Sequence, residues 1–234
     1  MPTRLFLLLM TLCTATSFHL DAAVSKSRHR NYLQTSRSSC HGDTLSPILP
    51  TKPIIMIDPG HGGGDEGAKV GQFVEKKIAL KLSQLIKKSL EFRGYRVRMT
   101  RTKDDYVTLA QRVEMANLVK AKLFLSIHCN SSPSNKDAHG VEIFYHEAKD
   151  SQRLKSSKRL ASQTLHSFLQ QTGAHSRGVK KGNFFVIRET SMPSILIEIG
   201  FLTNQEERTR LNDQSYLEKI AHGIAASMDR YFNY

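Results

Sequence analysis

Cysteine is scarce in this 234-residue chain: only Cys13, Cys40 and Cys129 occur. No two of them are spaced for a zinc finger, and three thiols cannot build a disulfide framework. A single Cys40–Cys129 bond is the most that could form once a leader containing Cys13 is removed. Cys129 sits in an apolar stretch and Cys40 in a polar one, which argues against that pairing. Acidic residues are also short, 21 against 34 lysines and arginines, for a formal net charge of +13. That excess calls for an anionic partner: nucleic acid, a membrane surface or an acidic polymer. An RNP motif and a basic zipper are both missing, so no nucleic acid partner is expected. Neither Ser-x-x-Lys nor Gly-x-Ser-x-Gly occurs, so serine acyl-enzyme chemistry has no footing.

Long apolar runs are missing as well, except at the start. Met1 to Arg4 is short and basic, Leu5 to Leu12 is apolar, and small residues follow at Ala15, Ser17, Ala22 and Ala23. This is the layout of a secretory signal peptide over residues 1–23, too short for a stable membrane anchor. The expected location is therefore outside the cytoplasm, in a periplasm or cell wall. Residues 24–52 are rich in Ser, Thr, Arg and Lys without apolar periodicity, and read as a flexible basic linker closed by Pro47, Pro50 and Pro53. A single folded domain is expected over residues 53–234.

Within that domain, apolar strands alternate with helical patterns. Strands are expected at Ile54–Asp58, Tyr95–Met99, Leu123–Ile127, Gly140–Tyr145, Asn183–Ile187 and Ser194–Ile199. Helices are expected at Glu75–Phe92, Leu109–Lys120, Leu154–Gln171 and Ser215–Phe232. The alternation predicts an α/β fold with a largely parallel, twisted sheet covered by helices on both faces. Active sites in such sheets gather where strands end and loops begin.

Four residues lack a comfortable structural role there. His61 follows a buried strand in Asp58-Pro59-Gly60-His61-Gly62-Gly63-Gly64, although a turn histidine is the plainer reading. Glu75 opens the first helix, where the helix dipole alone could account for it. His128 closes the strand before Cys129 and Asn130. A satisfied core histidine is its bland alternative, and a Cys–His dyad is disfavoured because neighbouring strand residues face opposite ways. Glu198 lies inside the apolar run Pro193–Phe201, where an unpaired carboxylate meets a large desolvation cost. Arg101 and Arg112 are candidate ion-pair partners for it. Two histidines and a glutamate on separate elements make a zinc set with an open position, and a further glutamate can move protons beside it.

The ordered segments Ile57-Asp58-Pro59-Gly60-His61-Gly62-Gly63, Glu75, Thr100-Arg101, Ser126-Ile127-His128-Cys129-Asn130, Gly140-Val141-Glu142 and Glu198-Ile199-Gly200-Phe201-Leu202-Thr203-Asn204 resemble the zinc-dependent N-acetylmuramoyl-L-alanine amidases of bacterial cell division and spore lysis (the amidase 3 family). The resemblance covers residues 54–231. It implies a mostly parallel six-stranded sheet, one Zn2+ held by His61, Glu75 and His128, and Glu198 as catalytic carboxylate. It also implies peptidoglycan as substrate, cut between muramic acid and L-alanine. The stretch Arg177–Phe184 would line the substrate groove, with Asn130, Arg177 and Asn183 as substrate-binding residues. Division-type members insert a plug helix after the strand ending near Tyr145. The short connection here predicts an open site that needs no activator. A zinc peptidase acting within the stem peptide, or a wall-binding protein without catalysis, are the competing readings. The basic surface suits contact with an anionic membrane or wall.

Overall fold

The computed structural model describes residues 52–234. The expected leader, the linker up to Thr51, and Cys13 and Cys40 lie outside the described residues. No described helix is long and apolar enough to cross a membrane.

β1 (Ile54–Pro59) is followed by a small antiparallel hairpin, β2 (Lys69–Val70) and β3 (Phe73–Val74), which leads directly into α1 (Glu75–Phe92). Then come β4 (Arg96–Met99), α2 (Leu109–Leu118), β5 (Leu123–Asn130), β6 (Val141–Tyr145), α3 (Ser151–Thr172), β7 (Ser176–Lys181), α4 (Phe185–Glu189), β8 (Ser194–Phe201), α5 (Gln205–Asn212) and α6 (Gln214–Phe232). Six strands form one sheet in the order β4-β1-β5-β8-β6-β7. Every pairing is parallel except β6 with β8.

Alternation along the central strands divides the core in two. Ile55, Ile57, Leu125, Ile127, Ile195 and Ile197 point towards α1, α3 and α6, where Leu82, Ile86, Leu160, Phe168 and Ile224 close the larger cluster. Met56, Phe124 and Leu196 point the other way and meet Val113, Ala116, Val186 and Ile187 from α2 and α4. Residues Asp58, Ser126, His128 and Glu198 continue this second face to the strands' C-terminal ends, where the apolar packing stops.

Helix α1 occupies the expected residues, and α2 is held by a capping box in which Thr108 and Gln111 satisfy each other's backbone N–H groups. The α/β architecture and the mostly parallel six-stranded sheet are as expected. Besides the unexpected β2–β3 hairpin and α5, two segments differ. The expected strand Asn183–Ile187 contains the start of α4 instead, where Val186 and Ile187 pack against α2 and the Met56–Phe124–Leu196 face of the sheet. The edge strand beside β6 is β7, whose sequence Ser-Arg-Gly-Val-Lys-Lys carries a single apolar side chain and no alternation.

Candidate metal centre

β1 delivers its last residues into a loop of unusual backbone conformation. Gly60 has no room for a side chain: a methyl group there would lie 2.3 Å from the His128 ring. His61 itself sits at φ 58°, in the left-handed region that non-glycine residues rarely occupy. Two buried arginines hold this turn by its carbonyls. Arg101 donates to Pro59 O at 3.1 Å, Gly60 O at 2.6 Å and Lys76 O at 2.9 Å. Arg112 donates to Pro59 O at 2.6 Å and His61 O at 2.7 Å, and also to Asp58 Oδ1 at 2.8 Å. Neither arginine pairs with Glu198, so the structural ion pair that was the alternative to a functional role for Glu198 does not form. The partners of both arginines are Asp58 and backbone carbonyls of the His61 turn, of α1 and of the segment before α2.

The result is a convergence of three side chains from three elements. His61 Nε2 lies 3.1 Å from Glu75 Oε1, and His128 Nδ1 lies 2.9 Å from the same oxygen. Candidate ligand atoms from His61, Glu75 and His128 all fall within 4.8 Å of one another. Glu75 reaches this point from the first turn of α1 and is itself buried. Its Oε1 also accepts from Cys129 N at 3.0 Å, and its Oε2 from Ala68 N at 2.7 Å. The second ring nitrogen of His61 is engaged as well, with Nδ1 donating to Asp65 Oδ2 at 2.8 Å. Such an outer partner fixes the imidazole's tautomer and orientation, as is usual for metal-binding histidines.

The electrostatics of the trio are those of a site built for positive charge. Burial works against the Glu75 carboxylate, but the hydrogen bonds from His128 and His61 outweigh it and hold the group well below the usual carboxylate range. Burial lowers the His61 imidazolium, yet Glu75 and Asp65 together raise it to about 9. The N–H protons that His61 and His128 now direct at Glu75 are those a metal ion would displace. A His-Glu-His donor set of this compactness fits zinc.

Glu198 stands beside the trio. Its Cα is paired with His128 across β5 and β8, so both side chains leave the sheet on the same face. Glu198 Oε2 is buried with no hydrogen-bond partner among the described residues. That burial is the leading reason its pKa is pushed up to about 7. The Cys129 side chain, by contrast, turns into the core with its thiol pKa raised by burial, and only its backbone N–H serves the site, through Glu75 Oε1.

Of the residues expected to touch substrate, two share a partner. Asn130 Nδ2 donates to Glu142 Oε1 at 2.5 Å, and Arg177 Nε to Glu142 Oε2 at 3.0 Å. Asn183 is exposed on the turn before α4 and accepts from Arg188 at 3.0 Å, apart from that cluster. Glu142 and Lys180 carried no individual role in the sequence reading. A buried glutamate in the apolar strand Val141–Tyr145 was the available signal, of the same kind that singled out Glu198. A cleft of about 360 Å3 opens over Gly60, His61 and His128, walled by Tyr106, Leu109 and Val186.

Comparison with known proteins agrees with this arrangement. The family described as N-acetylmuramoyl-L-alanine amidase matches residues 55–230. The uncharacterized protein YqiI of Bacillus subtilis is 35% identical over 195 residues, covering 81% of this chain and 92% of its own. The N-acetylmuramoyl-L-alanine amidase LytC of Bacillus subtilis is 34% identical over 178 residues, covering 76% of this chain, which spans only 35% of LytC. Among solved structures, the catalytic domain of CwlV, an N-acetylmuramoyl-L-alanine amidase from Bacillus (Paenibacillus) polymyxa var. colistinus, superimposes with a TM-score of 0.71 at 36% identity. That match covers 77% of this chain and 98% of the CwlV domain. The family match over residues 55–230 reaches from β1 to α6, and the chain belongs to the N-acetylmuramoyl-L-alanine amidase family.

Proposed function

We propose that this chain hydrolyses the amide joining N-acetylmuramic acid to L-alanine in peptidoglycan, holding one zinc ion through His61, Glu75 and His128 and using Glu198 as its acid–base carboxylate. The observation that carries the reading is the buried Glu198 oxygen, without a partner among the described residues, one strand away from the histidine–glutamate trio. Zinc held there would supply Lewis acidity towards an amide carbonyl and towards water.

Glu198 does the proton work. With a pKa of about 7 it can take a proton from the attacking water and give it to the departing nitrogen, near the pH where both directions are accessible. The carbon–nitrogen bond breaks, the lactyl carboxylate stays with the sugar, and the stem peptide leaves with a free amino group. Arg101 and Arg112 keep the His61 turn rigid, Gly60 leaves space for the His128 ring, and Asp65 orients His61. Asn130 and Arg177 are the substrate-facing residues best supported by position, and Asn183 is a more distant one.

The catalytic domain spans residues 53–234 in this reading, preceded by an export signal over 1–23 and a basic linker over 24–52, and it works in the periplasm or cell wall. The connection between β6 and α3 is residues 146–150, too short to carry a plugging helix. The enzyme therefore acts without an activator.

The test is to incubate the zinc-loaded protein alone with purified peptidoglycan and identify the released products by mass spectrometry, with Glu198→Ala alongside. Stem peptides starting at an unblocked L-alanine, absent with the variant, are expected. Shortened stems still attached to muramic acid would move the function to a peptidase. Activity that appears only after a second protein is added would end the activator-free reading.

A further inference from the structure

Next to Glu198, across the one antiparallel pairing of the sheet, sits a second glutamate. Glu142 on β6 is in register with Glu198 on β8. Directly opposed residues put their side chains on the same face about 5 Å apart. Glu142 is only 5% exposed and takes three donors. Asn130 reaches Oε1 from the end of β5, while Arg177 Nε and Lys180 Nζ converge on Oε2 from β7.

The charges do not cancel. One carboxylate faces two cations, although a single arginine would neutralise it. Both cations keep a face to solvent, with side-chain exposures of 33% for Arg177 and 41% for Lys180. Arg177 Nη1 reaches only His139 O, at 3.4 Å, and Nη2 has no hydrogen-bond partner among the described residues. The guanidinium also lies over the Phe201 ring, 4.8 Å from its centroid, which fixes its plane. A planar donor fork, held from behind and open in front, matches a carboxylate. Glu142 supplies the hold from behind.

Distance fits the same ligand. Two extended peptide residues span about 7 Å. One strand spacing of about 4.8 Å plus one hydrogen bond of about 3 Å separates Glu198 from the cation heads. A substrate whose scissile nitrogen lies at Glu198 thus presents its second residue to Arg177 and Lys180. In the peptidoglycan stem that residue follows L-alanine and bears an α-carboxyl group, either as the free acid or as the amide.

We infer that Arg177 and Lys180, positioned by Glu142, form a subsite that binds the free carboxylate on the second residue of the stem peptide. This rests on the amidase reading above. The subsite makes the enzyme selective for acidic over amidated stems, and Glu142 is a positioning residue that need not touch substrate.

The experiment uses the zinc-loaded full chain and two synthetic muramyl peptides that differ only in acid versus amide at the second residue. Wild type is expected to favour the acid, by about 10- to 100-fold in kcat/KM, as for a charge-assisted hydrogen bond. Lys180→Gln, a half-exposed position that threatens folding little, and Arg177→Gln should shrink that ratio towards one. They should do so mainly through KM on the acid substrate. Glu142→Gln, which releases both cations, should also weaken discrimination. A wild type that cuts both substrates equally, or variants that slow both alike with the ratio intact, would overturn the subsite. Failure to cut either substrate, or cleavage within the stem, would overturn the amidase reading and the subsite with it.

Discussion

Two carboxylates, Asp58 fully buried and Glu198 half-buried, lie on the same face of the sheet, and they are treated in opposite ways. Asp58 is 1% exposed and fully surrounded by donors. Thr100 Oγ1 donates to its Oδ1 at 2.6 Å, Arg112 Nη1 to the same oxygen at 2.8 Å, and Ser126 Oγ to its Oδ2 at 2.8 Å. Glu198, on the neighbouring region of the same face, keeps one buried oxygen with no donor among the described residues. A carboxylate that is fully hydrogen-bonded has no capacity left for a reaction, and its removal strands its partners. One left short of donors is held in a state that a proton or a ligand can relieve. Under the proposed function, the contrast separates scaffold from chemistry on one face of the sheet.

The comparison is broken most readily at Glu198. Glu198→Gln should lower turnover by about 10^2- to 10^4-fold, the usual weight of a positioned acid–base group. Zinc content should be unchanged, and the urea midpoint should stay level or rise, because a neutral amide replaces an under-solvated carboxylate. A large loss of stability would make Glu198 a second scaffold group instead. Asp58→Ala should show the reverse signature. It leaves Arg112 buried beside an empty position and should cost about 3–5 kcal/mol in equilibrium unfolding. A cost under about 1 kcal/mol would mean that the Asp58 cage is not what holds the His61 turn.

The smallest expected effect sharpens the scale at its exposed end. Asp229 on α6 accepts from Arg93 at 2.5 Å, Tyr95 at 2.9 Å and Lys52 at 3.3 Å, at the partly solvated foot of the domain. Partial burial raises its pKa, but Tyr95, Arg93 and Lys52 outweigh this and leave it below the ordinary value. The unfolded chain therefore binds this proton at higher pH than the native one. The stabilisation is present in full above the unfolded pKa of about 3.9 and is lost as pH falls through the lower native pKa. Solvent screening keeps it below about 1 kcal/mol. Urea midpoints between pH 5 and pH 2 (approximate bounds around that carboxylate range) should converge for wild type and Asp229→Asn at the acid end. A gap that persists unchanged would show that the charge plays no part.

Much of this was readable in the sequence, for reasons that also explain the gaps. Glu75–Phe92 announced itself because Ile78, Leu82, Ile86 and Leu90 fall on one buried face. His128 and Cys129 were separated correctly by strand alternation alone. The β7 edge strand escaped because an edge with one apolar residue has no period to detect. Asn183–Ile187 misled because its Phe, Val and Ile favour strands in isolation, while packing against α2 decided the matter. α5 lacked an apolar stripe, with only Leu211 buried, though its Asn204 cap three residues before Glu207 was a visible start signal. The partners of Arg101 and Arg112 could not be read, because they are backbone carbonyls in a loop whose path no side-chain pattern encodes. Glu142 was visible as a residue, but its alignment with Glu198 depends on strand order.

The reversed strand β6 has one more consequence. Because it runs against β8, residues 131–140 turn back on the reaction side of the sheet, whereas the other returns are made through helices packed on its flanks. That segment is anchored at both ends, by Ser132 N to Thr203 Oγ1 at 3.0 Å and by Gly140 N to Glu207 Oε1 at 2.9 Å. Added sequence there would grow out over the cleft without disturbing a strand or a helix. The fold thus has a port where a roof, a gate or a recognition arm can be grafted onto an unchanged chemical floor.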